Sequence, residues 1–350
     1  MSDSQPADWP SEDLEWLGAC PVCGNDRRTV VYTGLRDRLG APGEWTLHRC
    51  AGCLSGYIDP RPTLGSVGRL YETYYTHEAP NGGRAAPSAA ARLREALLLG
   101  HVNARYGYRM RPSVPVAGSI AVAVFPGARG MASRRVRSLP HPAGGGRLLD
   151  VGCANGEFLI RMRDLGWEVE GIDPDPRAVE IAQAAGLDVR LGVLEEATAP
   201  DERYDAITLS HVIEHLHDPP AVLRACLRAL RPGGRIWIAT PNMDAHGRRE
   251  FGPSWAGLDP PRHLVLFTRV ALERALAEAG FADRDRPPTT LEAAGWTYRA
   301  SAAIALGEDP HRPPPLDRST ALRAVGADLA TLVDRSGEEE LCMTATKPPT

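Results

Sequence analysis

The sequence predicts an α/β fold: a doubly wound, mainly parallel sheet with helices on both faces, preceded by a small cysteine-built module. Three observations lead there. From Arg147 onward, strand-like apolar runs alternate with amphipathic helical ones. The first of these strands runs into "GCANG", with Gly152 and Gly156 four apart, at the strand end where open sheets of this kind bind ligands. Near the N-terminus, Cys20, Cys23, Cys50 and Cys53 make two C-x-x-C pairs with 26 residues between them. A chain of 350 residues, 43% hydrophobic and 24% charged, is long enough for one large and one smaller domain. The expected division is 1–60 for a tail and ribbon, 61–145 for a helical linker or cap, and 146–350 for the α/β domain.

Taken in order, residues 1–17 are polar and acidic and lack the basic and apolar regions of a secretory leader. A soluble, cytoplasmic protein is expected. In that setting paired cysteines point to metal rather than disulfides. Each C-x-x-C turn can aim two thiolates at one tetrahedral ion, and the strand-like "RRTVVYTG" and "EWTLHRC" between them complete a zinc ribbon. Zn(2+) is therefore expected on Cys20, Cys23, Cys50 and Cys53. Residues 61–110 read as helical. "VPVAGSIAVAVF", Val114 to Phe125, is too short to span a bilayer and is expected to be buried or substrate-facing rather than a membrane contact. The net charge of −4 carries no footprint for a polyanion. The expected partner is a small-molecule acceptor, with no membrane and no nucleic acid; the oligomeric state is not legible.

In the α/β part, "RLLDV", "EVEGID", "DVRLG", "YDAITLS" and "RIWIAT" read as strands, and "EELCMTATK" as the last one. "GEFLIRMRDLG" is a helix with Phe158, Met162 and Leu165 on one face. "PPAVLRACLRALRPGG" is a helix capped by Asp218, with Pro219 just inside and glycines at its end. Residues 282–335 are too rich in Pro, Ala and Arg to order.

A dinucleotide fingerprint needs three glycines in G-x-G-x-x-G. Here only Gly152 and Gly156 are in register, and Cys153-Ala154 occupies the place where a pyrophosphate needs bare backbone. Asp173, ending the next strand, can accept two hydrogen bonds from ribose hydroxyls. "LLDVGCANG", "EGIDPD", "YDAITLSHVIEHLHDP" and "LRPGGRIWIATPN" follow in this order between about Arg147 and Thr268. Together they resemble the class I S-adenosylmethionine (SAM) methyltransferases, and among them the ubiquinone-biosynthesis-type O-methyltransferase group. The resemblance implies a seven-stranded Rossmann-like sheet. It also implies SAM held by Asp150, Gly152, Cys153, Gly156, Asp173, Pro174, Leu194 and Ser210, with Asp150 near the ammonium. Many relatives place Asp after the third strand for the adenine. Here Val193 stands there, so the Leu194 backbone is expected to serve, with Glu195 nearby. "YIDPRP" after the second cysteine pair resembles the ribbons fused to such enzymes.

Methyl transfer to a hydroxyl needs an oriented nucleophile and a proton acceptor. In "SHVIEHLHD", His211 and His215 share a face if the segment is helical, with Glu214 beside them. The resembling group carries E-x-x-E-H, associated with a divalent cation and a phenol; His211 replaces its first Glu, which argues against metal. "WAGLDPPRHLVLFT" supplies a second set: Trp255, Arg262 and His263. His211 and His263 are the expected catalytic bases, and His215 a structural residue. The fourth strand is not followed by N/D-P-P-Y/F, which disfavours an exocyclic amine. The expected activity is O-methylation of a small-molecule, sugar or secondary-metabolite hydroxyl. The alternatives are C-methylation of a nucleotide-linked keto-sugar, RNA methylation, or a non-catalytic SAM-fold partner protein.

Overall fold

The computed structural model describes residues 8–71, 88–142, 144–194, 202–288 and 293–349. The N-terminal part holds five strands, β1 (Leu14–Glu15), β2 (Arg28–Leu35), β3 (Trp45–Cys50), β4 (Gly56–Ile58) and β5 (Arg61–Pro62). Three helices follow: α1 (Ala89–Tyr106), α2 (Pro115–Val124) and α3 (Pro126–Arg134). The alternating part then runs β6 (Gly146–Val151), α4 (Glu157–Asp164), β7 (Trp167–Asp173), α5 (Pro176–Ala184), β8 (Asp188–Leu191), β9 (Tyr204–Ser210), α6 (Pro219–Ala229) and β10 (Leu230–Pro241). It closes with α7 (His246–Phe251), β11 (Val265–Leu266), α8 (Arg269–Ala279), β12 (Ala282–Asp285), α9 (Ala293–Ala305), α10 (Arg318–Ala330) and β13 (Glu340–Thr346). The stretch 282–335, unreadable in sequence, thus contributes an edge strand and two helices.

Seven strands form one sheet in the order β12-β13-β10-β9-β6-β7-β8. The five from β10 to β8 are parallel, and β13 runs antiparallel against β10, with Ile238 opposite Met343. Strand order reverses beside β6, between β7 on one side and β9 on the other, which opens a crevice beyond their carboxyl ends. The period of two along β6 divides its side chains between faces. Leu149 and Val151 pack with Val222 and Leu223 of α6 and Leu272 of α8. Leu148 packs with Val102 of α1 and Met162 of α4. Truncating a fully buried leucine such as Leu149 costs about 2–5 kcal/mol.

Two local expectations change. The Val114–Phe125 segment is only half buried. Gly118 and Val122 of α2 face inward, while Val116, Ile120, Val124 and Phe125 are exposed. α1 and α3 pack on α2, and among the described residues no element packs on its opposite face. Nor is "HVIEHL" an α-helix: His211 takes φ +55° and only Ile213–His215 form a 3-10 turn. His211 and His215 therefore point to different partners.

The ribbon is packed into the larger domain rather than tethered to it. β11 pairs with β4, Val265 opposite Tyr57, giving a second sheet in the order β11-β4-β3-β2. Cys20, Cys50, Cys53 and Tyr57 share one core with Leu223, Leu264 and Leu272. Among the described residues, no helix is long and apolar enough to cross a membrane.

Candidate functional site

The loop after β6 is shaped by two glycines in the left-handed region, Gly152 at φ +68° and Gly156 at φ +78°. A Cβ on Gly152 would lie 2.4 Å from Val212 Cγ2, and one on Gly156 2.3 Å from Leu187 Cδ1. Both conformation and space therefore demand glycine. Asp173 ties this loop to the next: Oδ2 accepts from the Ala154 N–H at 2.8 Å and Oδ1 from the Asp175 N–H at 2.9 Å. Burial raises the Asp173 pKa, and the two backbone donors oppose the rise.

A cavity of about 1900 Å³ opens over this loop. It is lined by Gly152, Asp173, Pro174, Leu194 and Ser210, and by His211 and His263. These seven expected site residues are brought together. Three others are not among its lining. Asp150 lies on the Leu148 face of β6, where its buried carboxylate is paired with Arg137 and accepts from Thr208 Oγ1 at 2.7 Å. Arg137 is itself stacked 3.6 Å over the Phe158 ring. Asp150 is therefore committed to a buried ion pair and is not free for an ammonium group. The Cys153 side chain turns down into the α4–α5 core beside Leu159. Gly156 acts through the turn it permits. Glu195 lies outside the described residues.

The histidines divide in an unexpected way. The His211 ring lies between two carboxylates, 2.9 Å from Glu340 Oε2 and 3.3 Å from Glu214 Oε1. Partial desolvation opposes its charge, yet the contacts to Glu214 and Glu340 prevail and raise its pKa to about 10. Both ring nitrogens face carboxylates, which favours the protonated ring and disfavours His211 as a proton acceptor. The ring is 47% exposed, so solvent screens this pairing. Glu340 also binds Arg134 at 2.5 Å, and Glu214 accepts from Thr240 Oγ1 at 2.9 Å. Glu340 stands on the last strand, 129 residues from His211, and no local pattern announced it.

His215 and His263 stand edge to face, ring centroids 4.7 Å apart. His263 Nδ1 lies 2.8 Å from the Gly257 carbonyl, so it must carry the proton and leave Nε2 with a free lone pair. His215 Nδ1 lies 3.0 Å from the Arg262 carbonyl and from Tyr71 Oη, which assigns its proton in the same way. Burial, then the neighbouring His263, lowers the His215 pKa to about 4. Glu214, His215 and His263 each offer a donor atom within 4.8 Å of the others. Arg262, expected at the acceptor, is a buried strut: Nη1 meets Asp37 Oδ1 at 2.6 Å and Asp259 Oδ1 at 3.2 Å, and Nε donates to the Leu70 carbonyl. Trp255 is also buried, with Nε1 donating to Glu339 Oε2 at 3.0 Å.

The four ribbon thiols converge. Sγ of Cys20 and Cys53 are 3.6 Å apart, those of Cys23 and Cys50 3.5 Å, and all four lie within 4.8 Å of one another. A tetrahedral ion with bonds of about 2.3 Å has edges of about 3.8 Å, so the set fits zinc. The Gly52 N–H points at Cys50 Sγ at 3.3 Å, as expected around a thiolate.

The family model described as "Methyltransferase domain" matches residues 127–285. A ubiquinone biosynthesis O-methyltransferase of Cereibacter sphaeroides is 40% identical over 176 residues, 47% of this chain and 71% of that protein. The chain belongs to the class I SAM-dependent methyltransferases. It falls in their ubiquinone-biosynthesis-type O-methyltransferase group. A second such relative, from Xanthomonas oryzae pv. oryzae, is 39% identical over 105 residues, 28% of this chain, and the chain spans only 44% of its length. Among solved structures, a SAM-dependent methyltransferase from Thermotoga maritima, described as a possible histamine N-methyltransferase, covers 71% of this chain and 99% of its own. That pair is 18% identical, with a TM-score of 0.41. In this methyltransferase the ribbon lies outside the span matched by the family model and supplies part of the cavity wall through Arg38 and Leu39.

Proposed function

We propose that this chain transfers the methyl group of SAM to a hydroxyl of a small-molecule acceptor, with His263 taking the proton. The observation that carries this reading is the His263 ring, which lines a cavity shared with Gly152 and Asp173 and has its Nδ1 occupied by the Gly257 carbonyl. Asp173 would hold the ribose hydroxyls with the lone pairs left over from Ala154 and Asp175. The Gly152 loop, Pro174 and Leu194 would line the rest of the cofactor. SAM supplies a methyl carbon already activated by a sulfonium leaving group. The acceptor oxygen forms the new C–O bond as the S–C bond breaks, its electron pair staying on sulfur, and the acceptor proton passes to His263 Nε2. A general base of this kind contributes about 10²–10⁴-fold. His211, clasped by Glu214 and Glu340, holds the β9 end in shape, and together with Arg134 it balances the two carboxylates. Zinc on the four cysteines would be structural, fixing the ribbon that backs the acceptor side.

A second reading rests on the same cluster. A divalent cation on Glu214, His215 and His263 would acidify the acceptor hydroxyl directly. Metal content separates the two: one zinc per chain supports the base, and a second bound ion supports the cation. The function itself is tested with ¹³C-methyl SAM and a panel of phenolic, sugar and aliphatic alcohol acceptors. The carbon shift of the product distinguishes O-methyl from C-methyl. A C-methyl product would overturn the hydroxyl reading, and failure to bind SAM would overturn the cofactor assignment.

A further inference from the structure

The β2–β3 hairpin of the ribbon reaches over the cavity and places Arg38 in its wall. Arg38 Nη2 donates to the Pro253 and Trp255 carbonyls, each at 3.1 Å. These bonds position the guanidinium without neutralising it. The two nearby carboxylates are already taken, since Arg262 holds both Asp37 and Asp259. Among the described residues Arg38 makes no ion pair, and its Nε and Nη1 donors meet no protein acceptor. Burial lowers its pKa to about 10, with Asp259 and Asp37 opposing the fall, so it stays charged at neutral pH. A half-buried charge without a counter-ion is partly desolvated and gains from an anionic ligand that pairs with it. The same loop that receives Arg38 at Pro253 and Trp255 also anchors His263 through Gly257. One short segment therefore sets an open cation beside the proposed proton acceptor.

We infer that Arg38 is the anion-binding residue of the acceptor site, and that the acceptor carries a carboxylate or phosphate-type oxyanion besides its reacting hydroxyl. This rests on the acceptor occupying the cavity described above. Arg38 is a specificity residue, holding a part of the acceptor remote from the transferred methyl. Uniform binding of that kind acts on KM more than on kcat.

The test is calorimetric titration of the full chain, saturated with S-adenosylhomocysteine, with benzoate, phenyl phosphate and the neutral benzyl alcohol. Titration of the cofactor product comes first, so that a failed cofactor site is seen separately from a failed anion site. Wild type should bind one of the two anions at least about 10-fold more tightly than benzyl alcohol, and the preferred anion identifies carboxylate or phosphate as the group recognised. Arg38→Gln should weaken that anion by about 10- to 100-fold, the range for a charge-assisted bond, and leave benzyl alcohol unchanged. Arg38→Lys should fall between. A measurement without any variant runs in parallel: the preferred anion should protect Arg38 from phenylglyoxal, read by peptide mass spectrometry. Equal affinity of all three probes for wild type would overturn the inference. So would unaltered anion binding in Arg38→Gln, or modification of Arg38 at the same rate with and without the anion.

Discussion

Replacing Asp173 by Ala probes the cofactor site most directly, because this carboxylate has two duties that separate in measurement. Its oxygens accept one backbone N–H each, from Ala154 and Asp175. Both donors belong to residues that line the cavity, so water can reach them after truncation. Each lost bond then costs about 0.5–1.5 kcal/mol, roughly 1–3 kcal/mol together, less whatever is regained by no longer burying a carboxylate. That is a melting-temperature drop of a few degrees, at roughly 2–4 °C per kcal/mol for domains of 150–250 residues. Cofactor affinity loses in addition the bonds to the ribose, about 1–3 kcal/mol, or roughly 5- to 150-fold in Kd. Asp173→Asn keeps one acceptor oxygen but turns an amide donor toward a backbone N–H, so it should keep part of the stability and still lose affinity. Titration with S-adenosylhomocysteine and a thermal melt on both variants give the two numbers independently. Wild-type affinity in Asp173→Ala would refute the assignment. Affinity that returned in full in Asp173→Asn would refute the ribose contact and leave only loop folding.

Three further outcomes are expected. His263→Ala should lower kcat by about 10²–10⁴-fold with SAM affinity nearly intact, while His211→Gln should cost less in rate and lower the melting temperature, since Glu214 and Glu340 then face each other without their shared cation; the reverse ranking in a turnover assay would exchange their roles. Removing the ribbon metal, by chelation or by Cys50→Ser, should abolish turnover as well as unfold the ribbon, because β4 pairs with β11 and Arg38 and Leu39 line the cavity; metal analysis with a parallel rate measurement checks this, and full activity of a metal-free chain would contradict it. Burial raises the Glu339 pKa to about 7, against 4.5 as the ordinary value, with the Gly247 and Trp255 N–H groups limiting the rise. The folded chain thus binds the proton more tightly than the unfolded one. The penalty is absent below about pH 4.5, grows as pH rises, and reaches about 3 kcal/mol above pH 7. Urea melts should show Glu339→Gln gaining stability relative to wild type between pH 4.5 and 7, the opposing contribution of His215, whose lowered pKa favours folding as pH rises, being common to both chains.

Much of this molecule can be read locally. The D-x-G-x-x-x-G turn, the strand ending in Asp173 and the two cysteine knuckles each concentrate their chemistry within a few residues, where backbone geometry dictates what the side chains can do. Gly152 and Gly156 are required by positive φ and by the closeness of Val212 and Leu187, and the spacing of the cysteines is itself the geometry of a tetrahedral site. Such features survive reduction to a string because their partners are near in sequence or are the backbone itself.

The roles of the charged residues do not survive it, because a pKa and a free lone pair depend on partners brought from far along the chain. Asp150 looked like a cofactor ligand until the alternation of β6 turned it toward Arg137. His211 looked like a base until β13 delivered Glu340 beside it. Arg262 looked like an acceptor contact but is a strut joined to Asp37 of the ribbon, 225 residues away. The ribbon's own segment does not show that β11 completes its sheet or that its hairpin carries Arg38 to the cavity wall. Short-range periodicity and turn chemistry made the parallel strands, the cofactor loop and the cysteine knuckles legible. Which ionisable groups are paired and which stay open emerges from the packing of distant segments, because electrostatic energy in a buried site is set by distance in space.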